Sequence, residues 1–173
     1  KWGIGEPGSR GTPVQMGFDS WLGYLNQNHA SYYYTDFLWE DDSKMPISAN
    51  FDGKRAIYSN DLFRDFALEF IRENREQPFF LYLPITIPHG LMEVPDLMEY
   101  ENLDWTEDTK IYAAMVSRLD GYVGEISDEL DRWGLAEDTI FCFTSDNGPA
   151  LQDRSDFLDS AGGLRDGKKS VYE

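Results

Sequence analysis

The stretch from Thr139 to Pro149, Thr-Ile-Phe-Cys-Phe-Thr-Ser-Asp-Asn-Gly-Pro, constrains the fold more than any other part of the chain. Thr139 to Phe143 is a short β-branched and aromatic run, the composition of a buried strand. It breaks off into Ser145-Asp146-Asn147-Gly148-Pro149, which is turn chemistry. In an open α/β sheet, ligands bind just beyond the carboxyl ends of the strands. Asp146 and Asn147, side by side at such a point, offer oxygen atoms to a hard cation. The same residues also make a good turn with no ligand, because Asn and Gly accept positive φ and Asp bonds its own backbone. Spacing alone leaves both readings open.

A second run repeats the arrangement. Phe79-Phe80-Leu81-Tyr82-Leu83 reads as a buried strand leading into Thr86-Ile87-Pro88-His89-Gly90. His89 there is either a catalytic imidazole or an ordinary turn or core histidine. Each strand follows a helical pattern. Ser59-Asn60-Asp61 starts the first helix, whose apolar face combines Leu62, Phe66 and Phe70 with Phe63, Ala67 and Ile71. It ends between Asn74 and Gln77, before Pro78. Thr106 caps the second helix, and Glu107 and Asp108 complement its dipole. Its stripe runs through Ile111, Met115, Leu119, Tyr122 or Val123, Ile126, Leu130 and Trp133, with Gly134 as the C′ residue. That spacing marks a core-facing side, not a cofactor box. Helix, strand, helix, strand argues α/β with a largely parallel sheet, forming one domain or part of one.

The first 58 residues carry no sustained helical period. Glycines and prolines make residues 1–13 a loop, and Gly17 to Tyr24 is a compact aromatic segment. Asn26 to Tyr34, which includes His29 and Tyr32-Tyr33-Tyr34, either lines a pocket for a polar ring compound or packs a long loop. Residues 36–58 read as an irregular excursion with a hairpin. After Pro149, Asp153, Asp156 and Asp159 lie in a polar loop.

Composition excludes some partners. Acidic residues outnumber basic ones 32 to 15, a net charge of −17, which repels nucleic acid. Apolar content of 41% with 15% aromatics is that of a folded chain. Cys142 is the single cysteine, so no intrachain disulfide forms, and its place mid-run predicts a buried, inert thiol. The redox compartment stays open. No run approaches the ~18 apolar residues of a membrane span. The chain opens on Lys1-Trp2-Gly3-Ile4-Gly5, already in the rhythm of a folded protein, and is expected to be an interior piece of a longer one.

Strand ends and loops together supply Lys1, His89, Asp146, Asn147 and Lys168. Two ammonium groups suit a tetrahedral oxyanion, an oxygen-ligated cation polarises it, and an imidazole protonates a leaving group. No serine or cysteine is placed as an activated nucleophile.

In order along nearly the whole chain, the motifs resemble those of the type I sulfatases. The nearest group is that of the arylsulfatases and N-acetylgalactosamine-6-sulfatases, within the alkaline-phosphatase-like superfamily. The matching pieces are Lys1 to Gly5, Gly17-Phe18-Asp19 to Gly23-Tyr24, Pro78 to Leu83 with Ile87-Pro88-His89, and Tyr112 to Met115 with Arg118-Leu119-Asp120. Phe143 to Pro149, Leu164-Arg165 to Gly167-Lys168, and Tyr172-Glu173 complete the set.

The resemblance implies an α/β sandwich with a mostly parallel central sheet flanked by helices, residues 1–173 being the central portion of one catalytic domain. It implies Asp146 and Asn147 as ligands of Ca2+, or Mg2+ in some relatives. It implies Lys1 and Lys168 on the sulfate, Lys168 also gripping the leaving oxygen, and His89 by the leaving group. His29 is the added candidate for substrate contact. The family nucleophile is a formylglycine made from Cys or Ser in a Cys/Ser-x-Pro-x-Arg motif by a formylglycine-generating or anaerobic maturase enzyme. That motif and an early Asp-Asp ligand pair would lie upstream.

The expected function is hydrolysis of a sulfated sugar or aryl sulfate, in a periplasmic, secreted or lysosome-like setting, with the 173 residues alone inactive and weak in calcium binding. The alternatives are a phosphoesterase or phosphonate hydrolase of the same superfamily and a non-catalytic binder of sulfated glycans. Many relatives carry His where this chain has Gly3. Lys1, at the chain terminus, is expected to fray.

Overall fold

The computed structural model describes residues 1–150 and 158–171. Asp153 and Asp156 of the expected polar loop, and the Tyr172-Glu173 match, lie outside the described residues. The chain forms two compact units, Lys1–Glu137 and Asp138–Glu173.

In the first unit the expected hairpin is present. Strands β1 (Leu22–Gly23), β2 (Phe37–Glu40) and β3 (Ser43–Pro46) form an antiparallel sheet in the order β1-β2-β3. Leu22 faces Glu40 across β1 and β2, and Phe37 faces Pro46 across β2 and β3. Pro46 sits at the end of an edge strand, where its missing N–H costs no ladder bond. Asp41 turns the hairpin at φ 49° and exchanges bonds of 2.8 Å with the main chain of Trp21.

Helix α1 spans Ser59–Asn74 and helix α2 spans Glu107–Arg132. Phe63, Ala67 and Ile71 of α1 and Met115, Tyr122, Ile126 and Leu130 of α2 are buried, so both stripes face the core as their spacing requires, except that Trp133, expected to end the α2 stripe, stands at the C-cap and is 39% exposed. The α2 caps are also as expected. Thr106 Oγ1 accepts from Thr109 N, and Gly134 at φ 68° ends the helix while Leu135 N reaches back to Leu130 O.

The start of α1 differs from expectation. Tyr58 holds the N-cap position, and no side chain caps the helix. Ser59, Asn60 and Asp61 are each drawn into tertiary contacts. Ser59 Oγ accepts from Tyr24, Asn60 Oδ1 accepts from Thr86 Oγ1 at 2.8 Å, and Asp61 pairs with Arg118 of α2.

The two runs expected as buried parallel strands carry no ladder among the described residues. Phe79, Leu81 and Leu83 pack inward on the helices, while Phe80 and Tyr82 point out, so residues 79–83 keep the alternation of a strand without a partner. In the second unit Ile140 is 92% exposed and Phe143 66%. Cys142, expected to be buried, is exposed as well. The physical reason is common to all three corrections. A strand exists only through hydrogen bonds donated and accepted by a neighbour, and its faces are buried only by what stacks on them. No helix of the described residues is long and apolar enough to cross a membrane.

Candidate functional site

The Lys1 end of the first unit is anchored. Its main-chain nitrogen donates to Pro84 O at 2.9 Å, and the next residue, Trp2, bonds Tyr24 O through its main chain and Gly11 O through its indole. This tether replaces the fraying expected of a terminus. Close backbone passage sets the loop behind it, since a Cβ on Gly5 would lie 2.1 Å from the Gly11 carbonyl. Gly3 adopts φ +83°, and a Cβ there would meet the Gln27 amide at 2.0 Å. A left-handed backbone favours glycine at this position.

His89 ends a turn closed by a bond of 3.1 Å from its own N–H to Thr86 O. The imidazole is exposed, and Nδ1 lies 2.5 Å from Gly90 O. A carbonyl only accepts, so Nδ1 carries the proton and Nε2 is the other ring nitrogen offered for proton transfer.

Three buried side chains hold this segment from beneath. Tyr33 donates its hydroxyl to His89 O at 2.5 Å, Tyr58 donates to Glu93 O at 2.9 Å, and Asn60 Oδ1 takes the Thr86 hydroxyl. Burial pushes both tyrosine hydroxyls far above their ordinary range, so they remain donors. Residue-level reading missed these supports. Their signal was the Tyr32-Tyr33-Tyr34 cluster, which marks an aromatic segment without saying what its hydroxyls reach.

His29 sits apart from the His89 turn in its contacts. Its Nε2 is 2.6 Å from Thr35 Oγ1, and its ring packs against Tyr24 and Phe37. Burial lowers its pKa below 6.5, which favours the neutral ring.

In the second unit, Asp146 and Asn147 are exposed on the turn after residues 139–145. Asn147 Nδ2 donates to Gly148 O at 3.0 Å, which leaves the amide oxygen as the atom for a ligand. Lys168 is brought to the same turn through its backbone, its N–H donating to Pro149 O at 2.8 Å. The two segments meet where Gly148 passes Gly167, and a Cβ on Gly148 would lie 3.0 Å from Gly167 Cα. Asp166, bonded by Ser170 and the Gly167 N–H, is held below the usual carboxylate range. Adjacent carboxylate and amide oxygens fit a hard cation in kind. They fall short in number, since among the described residues no cluster of three acidic, histidine or cysteine side chains is placed to hold a metal.

The Sulfatase family model matches residues 4–173, and the chain belongs to that family. The N-acetylgalactosamine-6-sulfatase of Rattus norvegicus is 30% identical over 188 residues, covering all of this chain and 34% of that protein. The N-acetylgalactosamine-6-O-sulfatase of Bacteroides thetaiotaomicron is 32% identical over 135 residues, covering 70% of this chain and 25% of that one. Among solved structures, a crystal structure of Ps i-CgsB in complex with k-i-k-neocarrahexaose superposes with a TM-score of 0.67 at 25% identity, covering 80% of this chain and 34% of that one. These likenesses place the α/β architecture with the alkaline-phosphatase-like sulfatases. The chain spans 25% and 34% of the lengths of these two curated relatives.

Proposed function

We propose that the protein carrying this chain hydrolyses a sulfate ester of a sugar or an aryl alcohol. The observation that carries this reading is the family match over residues 4–173, read together with the exposed His89, whose Nδ1 is bonded to Gly90 O. In a sulfate ester, negative charge sits on the non-bridging oxygens and grows on the departing oxygen as the S–O bond breaks. Lysine ammonium groups stabilise the first, and a positioned acid neutralises the second. We assign Lys1 and Lys168 to the sulfate oxygens. His89, protonated on both ring nitrogens, keeps Nδ1–H on Gly90 O and gives the Nε2 proton to the leaving oxygen.

Asp146 and Asn147 would ligate a divalent cation, Ca2+ or Mg2+, through one carboxylate and one amide oxygen. Such a cation prefers six or more oxygens, so these two would be part of a larger set. When bound, the cation polarises a sulfate oxygen as a Lewis acid. The attacking hydroxyl is assigned to a formylglycine from a Cys/Ser-x-Pro-x-Arg motif outside these residues. A maturase would be its partner, and a periplasmic, secreted or lysosome-like compartment its setting. His29 stays a weaker candidate for substrate contact, because its Nε2 is already engaged by Thr35.

The test is a pair of measurements on the full-length protein. Peptide mass spectrometry is expected to find the motif converted to the aldehyde, and aryl sulfate esters are expected to turn over. Failure to hydrolyse any sulfate ester, with phosphate or phosphonate esters cleaved instead, would move the protein to the phosphoesterase branch. In the active enzyme, His89→Ala is expected to slow poor leaving groups at least about tenfold more than good ones. Equal loss across leaving groups would remove the leaving-group role. Asp146→Ala is expected to lower calcium affinity, read by calorimetry, and activity together.

A further inference from the structure

Tyr33 is fully buried, yet its hydroxyl spends its single proton on a main-chain carbonyl of the turn that carries the candidate acid. The bond to His89 O is 2.5 Å, against 3.5 Å to Thr86 O, so His89 is the partner. Tyr33 is itself fixed. Its ring meets Tyr58 edge-on at 5.6 Å, and its carbonyl accepts from Ser59 N at 2.8 Å at the start of α1. Tyr58 in turn holds Glu93 O on the far side of the segment. Among the described residues the His89 ring is hydrogen-bonded to the adjacent Gly90 O, so its direction follows the backbone that carries both residues.

We infer that Tyr33 is a positioning residue for His89, aiming Nε2 by gripping the His89 carbonyl from the core. The inference rests on the sulfatase reading for its consequence in catalysis, but the placement of the imidazole does not depend on it. Proton donation to a leaving group needs the donor within hydrogen-bond reach, so a shift of about 1 Å is enough to slow the step.

The experiment is a cycle in the full-length protein with Tyr33→Phe, His89→Ala and the double variant. Phe keeps the ring in the core and removes only the hydroxyl. Expected for Tyr33→Phe is a fall in kcat of about tenfold on aryl sulfates with poor leaving groups, a much smaller fall on good ones, and little change in KM. In the His89→Ala background the same change is expected to cost nothing further, because Tyr33 acts through His89. Additive losses, or equal losses across leaving groups, would overturn the inference and leave Tyr33 a core residue alone.

A readout apart from activity separates this from failure of the sulfatase reading. The imidazole 1H–15N spectrum of His89, identified by its loss in His89→Ala, is expected to shift or broaden in Tyr33→Phe. An unchanged His89 spectrum would overturn the placement even in an active enzyme. A changed spectrum in a protein that cleaves no sulfate ester would uphold it while the proposed reaction falls.

Discussion

Gly3 shows how one residue can carry a backbone requirement that its side-chain neighbours hide. The resemblance to the type I sulfatases implies a histidine two positions after Lys1, so the sequence alone makes Gly3 look like the loss of a contact. In this fold the position has φ +83° with the Gln27 amide against the would-be Cβ. Gly3→His is therefore expected to destabilise the full-length protein by about 1–2 kcal/mol, from the left-handed backbone penalty. Chemical denaturation of the two proteins checks this. An unchanged midpoint would mean that the loop flips to negative φ at no cost. His29 and His89 make a related contrast. Both were candidates by type, and their surroundings differ: His29 packs against two rings with its Nε2 on Thr35, while His89 is exposed with its Nδ1 on Gly90 O.

At the level of elements, α1 and α2 are joined by a pair that periodicity does not reveal. Arg118 reaches Asp61 with bonds of 2.7, 2.8 and 3.0 Å, and Tyr122 donates to the same carboxylate. Both charged side chains are largely shielded, at 18% and 25% exposure. Removing the carboxylate takes the acceptor from Tyr122 and leaves Arg118 with the longer Asp96 pair at 3.6 Å, and Asp61→Ala is expected to cost about 1–3 kcal/mol after allowing for partial solvent screening. The more exposed Arg64–Glu125 pair joins the same helices, and Glu125→Ala is expected to cost less than about 1 kcal/mol. Urea titrations of both variants read the contrast. Equal costs would show that shielding does not decide the worth of these pairs. Helix α1 lacks a side-chain cap because Tyr58 stands at the N-cap position, and Ser59, Asn60 and Asp61 inside the first turn are engaged by tertiary partners.

For the whole molecule, the exposed apolar surface is the main physical fact. Phe80, Tyr82, Ile140 and Phe143 point outward from extended runs that have no ladder partner among the described residues. Soluble proteins seldom leave such edges open, because they pair with other chains. The 173 residues expressed alone are expected to bind an apolar dye such as ANS and to self-associate, whereas the full-length protein is not. Dye fluorescence and light scattering on both would test this, and a monomeric, dye-silent fragment would contradict it. The chain's share of the two curated relatives, 25% and 34%, accords with these faces being covered by residues outside it.

Local pattern was enough for the two helices, their apolar faces, the Thr106 and Gly134 caps and the hairpin, because each depends on residues within a few positions of one another. Ordered motifs were enough for the family, since their sequence along the chain is more specific than any one of them. Strand pairing was beyond reach, because a ladder is a property of two segments and the runs at 79–83 and 139–143 name only one. The support beneath His89 was likewise decided in three dimensions. Tyr33 lies 56 positions from His89 in sequence, and only the packed core brings a buried hydroxyl to that carbonyl. The Gly148–Gly167 crossing that sets Lys168 beside the Asp146-Asn147 turn has the same origin, a backbone approach that glycine permits and sequence order does not announce.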